Sequence, residues 1–190
     1  MQRTPDSGFC FMLDVSGPAH LTPVVSAMTS KRQPTYPFVP RSTATLLPGQ
    51  FWAIPLSDGS FGCGRVIELK ASGTEGARVT FLAAVMDWHG DKPPTPDSLA
   101  GAKCLAQGQA HVKAITERGG SILGHRSLGL DDIEPWEFRG AEFHVNSFVH
   151  RGMQPVRPQK PEDGHFAVLS TWGYRVPAVI AERHFTKRTQ

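Results

Sequence analysis

With 190 residues and 39% hydrophobic content, the chain holds enough apolar material for a real core, which excludes disorder throughout and predicts one domain with an extension. No run approaches the roughly 18 apolar residues that span a bilayer, so a transmembrane helix is excluded, and Asp14 cuts the apolar Phe9–Leu13 run too early for a secretory leader. The formal charge of +3 divides into +2 over residues 1–45 (Arg3, Lys31, Arg32 and Arg41 against Asp6 and Asp14) and +1 over the rest, which lacks the concentrated basic face of a nucleic-acid binder.

Residues 1–45 contain Pro5, Pro18, Pro23, Pro34, Pro37 and Pro40 and show no sustained periodicity, which predicts an extended or disordered segment ahead of a single β-rich domain at 46–190. Met28 is a candidate alternative start, because the β-rich domain needs nothing upstream of it. In the competing reading, the stretch around Val24 and Val25 packs as an extra edge element.

Leu47–Leu69 organises the rest of the chain. Gln50–Leu56 is almost wholly apolar, as in a strand buried on both faces. Ser57-Asp58-Gly59-Ser60 breaks it, and Asp-Gly is a strong hairpin signal, since Gly takes positive φ freely and Asp hydrogen-bonds the backbone beyond it. In the return strand, Gly62 and Gly64 flank Cys63 and mark a bulge or a close backbone approach. Arg65, Ile67 and Leu69 share one face there, Val66 and Glu68 the other. After a polar turn at 71–76, Arg78–Val85 alternates as a third strand, with Val79, Phe81, Ala83 and Val85 toward the core.

Asp87-Trp88-His89-Gly90-Asp91 reads as leaving that strand for the loop Lys92–Pro96, where an exposed Trp88 would anchor a partner. Thr95-Pro96-Asp97 starts a helix through about Ala106, with Leu99, Ala102 and Leu105 as its buried stripe. Ala110–Glu117 alternates like a strand, Gly119-Gly120 turns the chain, and Ser121–Gly124 is a short apolar return. His125 and Arg126 with Asp131, Asp132 and Glu134 read either as an acid–base pair beside an anion-binding arginine or, more economically, as a charged surface loop. Asp131–Trp136 either opens a helix or loops toward the core. Ala141–His150 alternates as a strand, and His144 with His150 lacks a third metal ligand. Residues 152–164, with three prolines, read as a long connection. His165–Thr171 and Tyr174–Arg183 read as a final strand pair, Pro177 placing the last strand at an edge or bulge. The basic Arg183, His184, Lys187 and Arg188 read as a solvated tail. The fold class is α+β and mainly β: an antiparallel meander forming a curved sheet or partly open barrel, with one or two short helices.

The residue order of the first hairpin, Pro48-Gly49-Gln50-Phe51, Ala53-Ile54-Pro55-Leu56, Asp58-Gly59 and Gly62-Cys63-Gly64-Arg65-Val66-Ile67, resembles the opening of the immunity protein 26 family of bacterial polymorphic toxin systems. That pattern sets a glycine before a short Phe-Ala-Ile-Pro-Leu strand, then an Asp-Gly turn, then Gly-Arg-Val; Trp52 is an extra residue within it. Val79–Val85 and Gly119–Gly124 resemble later family segments. The resemblance implies that Gly49, Phe51, Ile54, Pro55, Leu56, Asp58, Gly59, Gly64, Arg65 and Val66 form a structural motif. It also implies a stoichiometric neutraliser of a cognate protein toxin rather than an enzyme.

The chemistry of the remaining residues agrees in direction. There is no phosphate cradle, GxSxG elbow, HExxH pair or cysteine in an activating context, so neither cofactor nor metal is expected. Cys10, Cys63 and Cys104 are odd in number and widely spaced, which fits a reducing cytoplasm. An inhibitor needs aromatic or arginine anchors on a complementary surface, and Trp88, Arg126 and Trp136 are the candidates. The runner-up reading is a small β-barrel that binds RNA or DNA, or a toxin-type endoribonuclease, with Phe51, Trp52 and Phe61 stacking on bases near Arg65. It requires those rings at the surface. A hydrolase using His89 or His144 ranks third.

Overall fold

The computed structural model describes residues 34–118, 120–141 and 147–186, and ten strands run through them in two sheets. β1 (Gln50–Pro55) and β2 (Phe61–Leu69) form the expected hairpin, with Phe51 opposite Arg65 and Trp52 opposite Gly64. Gly59 sits at φ 86°, and the Ser60 amide donates to Asp58 Oδ1 at 2.9 Å, so the Asp-Gly turn closes for the expected reason. β3 (Thr80–Gly90) and β4 (Cys104–His111) continue the antiparallel meander. β5 (Gly124–His125) pairs with β1.

The second sheet is built from β6 (Glu137–Arg139), β7 (Phe148–Arg151), β8 (Gln154–Pro158) and β9 (Ala167–Val168), and β10 (Thr171–Trp172) returns to the first. The orders are β10-β4-β3-β2-β1-β5 and β8-β7-β6-β9, both open, with β10 parallel to β4 and β9 parallel to β6. The helices are α1 (Lys113–Thr116) and α2 (Val176–Phe185).

The larger sheet is buried on both faces. On one side Trp52, Ile54, Val66, Phe81, Ala83 and Val85 pack with Ala178 and Ala181 of α2. On the other Phe51, Cys63, Ile67, Leu82, Ala84 and Met86 are closed over by Leu99, Ile133 and Phe138. β3 therefore has two core faces where alternation predicted one. β2 slips against β3 between Gly62 and Gly64 and again between Val66 and Glu68. The second slip sends Ile67 to one cluster and Leu69 to the other, although an unbroken two-residue period puts them together. Gly64 is required by packing, since a Cβ there would stand 2.2 Å from the Trp52 indole.

Several elements differ from expectation. The helix predicted from Thr95 is a run of turns: Thr95 and Ser98 hydrogen-bond each other at 2.9 and 3.2 Å, and Gly101 at φ 74° stops the chain before β4. The strand predicted over Ala110–Glu117 ends at His111, because Val112, Ala114 and Ile115 are buried together by the single turn of α1. Asp87–Gly90 stays in β3, held by the pairs Phe61–Gly90 and Gly62–His89. Residues 152–164 are no plain connection: β7 turns at Gly152 into β8, an edge strand where Pro155 and Pro158 are tolerated. Tyr174–Arg183 is mostly α2, with Pro177 in its first turn, where a missing N–H has no intrahelical acceptor to lose. Asp131–Trp136 is a loop.

Residues 34–45, the described part of the N-terminal segment, are tied to the larger sheet by the bridge Phe38–Ile122 and by Thr43 N donating to Arg78 O at 2.9 Å. Val24, Val25, Met28, His144, Lys187 and Arg188 lie outside the described residues.

Candidate functional site

Arg65 stands in the middle of β2 between apolar neighbours and is fully buried. A guanidinium taken out of water must be paired and hydrogen-bonded to be tolerated. Asp131, also fully buried at its side chain, supplies the pair: Arg65 Nη1 donates to Oδ2 at 2.8 Å. Arg65 Nη2 donates to the carbonyls of Arg126 and Ser127 at 2.6 and 3.2 Å. Arg126 then grips the same carboxylate from outside, its Nε and Nη2 donating to Oδ1 at 3.0 and 2.9 Å, and the Gly101 amide adds a further donor at 3.0 Å. Burial pushes the Asp131 carboxyl upward, but the Arg126, Gly101 and Arg65 donors outweigh it and hold the group at about 2, below its ordinary 3.8.

One loop is fixed at both ends around this clamp. Gly49, at φ 92°, accepts the Arg126 amide on its carbonyl at 3.0 Å, so the family-like motif itself anchors the loop's start. Gln107 anchors its end, donating to Glu134 O at 2.9 Å and accepting the Trp136 amide at 3.0 Å. Between these points Leu130 is 68% and Trp136 37% exposed. Lys103, Cys104, Asp132, Ile133, Glu134 and Trp136 line a cleft of about 180 Å³ under the loop.

Of the predicted anchors, Arg126 and Trp136 thus come together on the 126–136 loop, Arg126 with much of its charge engaged by Asp131. Trp88 does not join them there; half-buried, it packs from β3 against the Phe51-side cluster. Among the motif residues, Phe51, Ile54, Leu56 and Val66 are core. Gln107 and Leu130 carry no signal in the sequence, and Asp131 stands there only as one of three neighbouring acids. A charge set in an apolar strand, as Arg65 is, was the available signal that a distant counterion had to exist.

The immunity protein 26 family matches residues 47–147, more than half of the chain and inclusive of the whole Arg65–Asp131 clamp. The chain belongs to this family. No curated protein and no solved structure matches it. The family region therefore contains the β1–β4 meander, β5, β6 and the clamped loop, while β7–β10 and α2 follow it.

Within the family region the rival chemistries find no support from geometry. Phe51 and Trp52 are fully buried on opposite faces of the sheet, and Arg65 is buried with them, so these residues form no base-stacking platform. Ser60 Oγ lies 2.5 Å from Asp58 Oδ1 and 2.7 Å from His89 Nε2. The Ser60 hydroxyl and amide donate to the Asp58 carboxylate and hold it below its usual range, so Asp58 is the acceptor of the Ser60 O–H. His89 must then donate to Ser60, which is the reverse of nucleophile activation. Burial pushes both the Cys63 and Cys104 thiols up, away from the thiolate form. Among the described residues no group of three or more His, Cys, Asp or Glu could hold a metal ion, and no helix is long and apolar enough to cross a membrane.

Proposed function

We propose that the chain is a cytoplasmic immunity protein that neutralises a cognate bacterial toxin by stoichiometric binding, with the 126–136 loop as its contact surface. Family membership supports the toxin partner. The observation that carries the surface is the pairing of an exposed Leu130 and Trp136 with a fully buried Arg65–Asp131 root. A loop already held in place spends little further entropy on binding, and an aromatic beside an arginine is the usual make-up of an energetic centre at an interface. The near-neutral domain favours short-range packing over long-range steering.

The test is rescue. The product of the gene neighbouring this chain's own is expressed in a susceptible host with and without the chain, and the pair is co-purified. Rescue with a one-to-one complex is expected, and Trp136→Ala is expected to weaken binding by about tenfold or more in a chain that still unfolds cooperatively. Absence of both rescue and complex would sink the reading. Retention of RNA or DNA by the purified chain would promote the nucleic-acid alternative instead.

A further inference from the structure

We propose that the opposite face of the larger sheet carries a second docking groove, and that its occupant is an acidic segment of a protein partner in which carboxylates alternate with apolar side chains. α2 packs onto the Trp52 face through Ala178 and Ala181, whereas the 126–136 loop closes the Phe51 face through Ile133. One contact surface therefore does not include both.

Between α2 and the β1–β2 turn runs a groove of about 350 Å³ whose lining includes Pro55, Leu56, Ala178 and Val179. Val179 is 41% exposed there. Arg118 lines this groove and also the next, a polar recess of about 340 Å³ shared with Glu117, Tyr174 and Arg175, so the two join into one surface.

The charges of that surface do not cancel. Glu182 is occupied, accepting the Ser57 amide at 3.2 Å on each oxygen and the Ser57 hydroxyl as well. Glu117 is paired with Lys113 at 3.6 Å. Arg118 and Arg175 are exposed and form no ion pair among the described residues. The first turn of α2 holds no acidic residue, so the positive end of its dipole adds to the same field. Two uncommitted guanidinium groups beside an aliphatic slot are complementary to carboxylates beside an apolar side chain. Basic segments are repelled, and purely apolar ones leave both arginines unanswered.

The inference stands apart from toxin binding, and its test needs no toxin. The full chain is titrated with a short capped peptide of alternating Glu and Leu and with its Lys and Leu counterpart, followed by amide chemical-shift mapping. Saturable shifts at Leu56, Arg118 and Val179 are expected with the acidic peptide only. The double variant Arg118→Glu with Arg175→Glu is expected to lower that affinity by about tenfold or more, and Trp136→Ala to leave it unchanged. Both arginines are exposed, so the double variant should melt as the parent does; if it does not, Arg118→Gln with Arg175→Gln replaces it. Equal binding of both peptides, shifts confined to other surfaces, or indifference to the charge change would overturn the proposal. So would a concentration-dependent dimer abolished by the double variant, which would assign the groove to a second copy of this chain.

Discussion

Asp131 and Asp163 perform the same task in the two halves of the molecule, each holding an arginine by its carboxylate and pinning a segment that leaves a strand. Their surroundings differ. Asp131 faces Arg65, whose side chain has no exposure at all, with Arg126 at 18% on the outside. Asp163 takes Arg157 at 2.7 and 2.6 Å and the Lys160 amide at 2.7 Å, but Arg157 is 40% exposed. When Asp163 is lost, water can solvate Arg157. When Asp131 is lost, Arg65 keeps only the neutral carbonyls of Arg126 and Ser127 and has no counterion. The buried clamp is thus obligatory for its region and the exposed one dispensable, although the two look alike as contact lists.

Removing the buried partner gives the largest expected effect. Asp131→Ala should cost about 3–5 kcal/mol in urea unfolding, the usual result of stranding a buried charge. Replacing Arg65 by Met in the same chain should recover much of that loss, since an apolar side chain of similar volume suits the site. An Asp131→Ala protein no less stable than Asp163→Ala would break the comparison. Gly64→Ala, beside Arg65 but facing the other way, measures packing without charge: the added methyl meets the rigid Trp52 indole at 2.2 Å, and a loss of about 1–3 kcal/mol is expected by the same measurement.

Much of the first region is legible in the residues alone. Asp58-Gly59 and the apolar run before it specify the β1–β2 hairpin through local chemistry, and the alternation of 78–85 extends it. Arg126 and Trp136 stand out in sequence as a charged and an aromatic residue near a glycine-bearing turn, but the reason that their loop is held does not. That reason is tertiary: Arg65 and Asp131 are 66 residues apart, and the segment offers Asp131, Asp132 and Glu134 as equivalent counterions until the fold buries one of them. Two-residue alternation also failed where the backbone slips, at Val66–Glu68, because a bulge resets which side chains face inward. Pro177 misled for a different reason: proline fits an edge strand and a first helical turn equally well, and only the packing of Ala178 and Ala181 against the sheet decides for the helix.

Acid titration sharpens the contrast further. Burial raises the Asp131 carboxyl and its donors lower it further, to about 2, whereas hydrogen bonds from Arg157 and the Lys160 amide take Asp163 to about 2 directly. Both folded values lie below the ordinary 3.8, so the unfolded chain binds more protons across this interval. The stabilisation is complete above about pH 4 and is lost as the pH falls from about 4 to about 2. Urea midpoints measured across that window should decline, and Asp163→Asn should remove that residue's share of the decline, a share equal to what the substitution costs near neutrality and kept modest by the 40% exposure of Arg157. The smallest effect is on salt. The Arg157–Asp163 pair, wet on one side, should weaken as ionic strength rises, while the sealed Arg65–Asp131 pair should not. A double-mutant cycle on each pair at low and high salt reads this directly: a coupling at Arg65–Asp131 that fell with salt as steeply as the other would mean that water reaches Arg65 after all, and the obligatory character of the inner clamp would go with it.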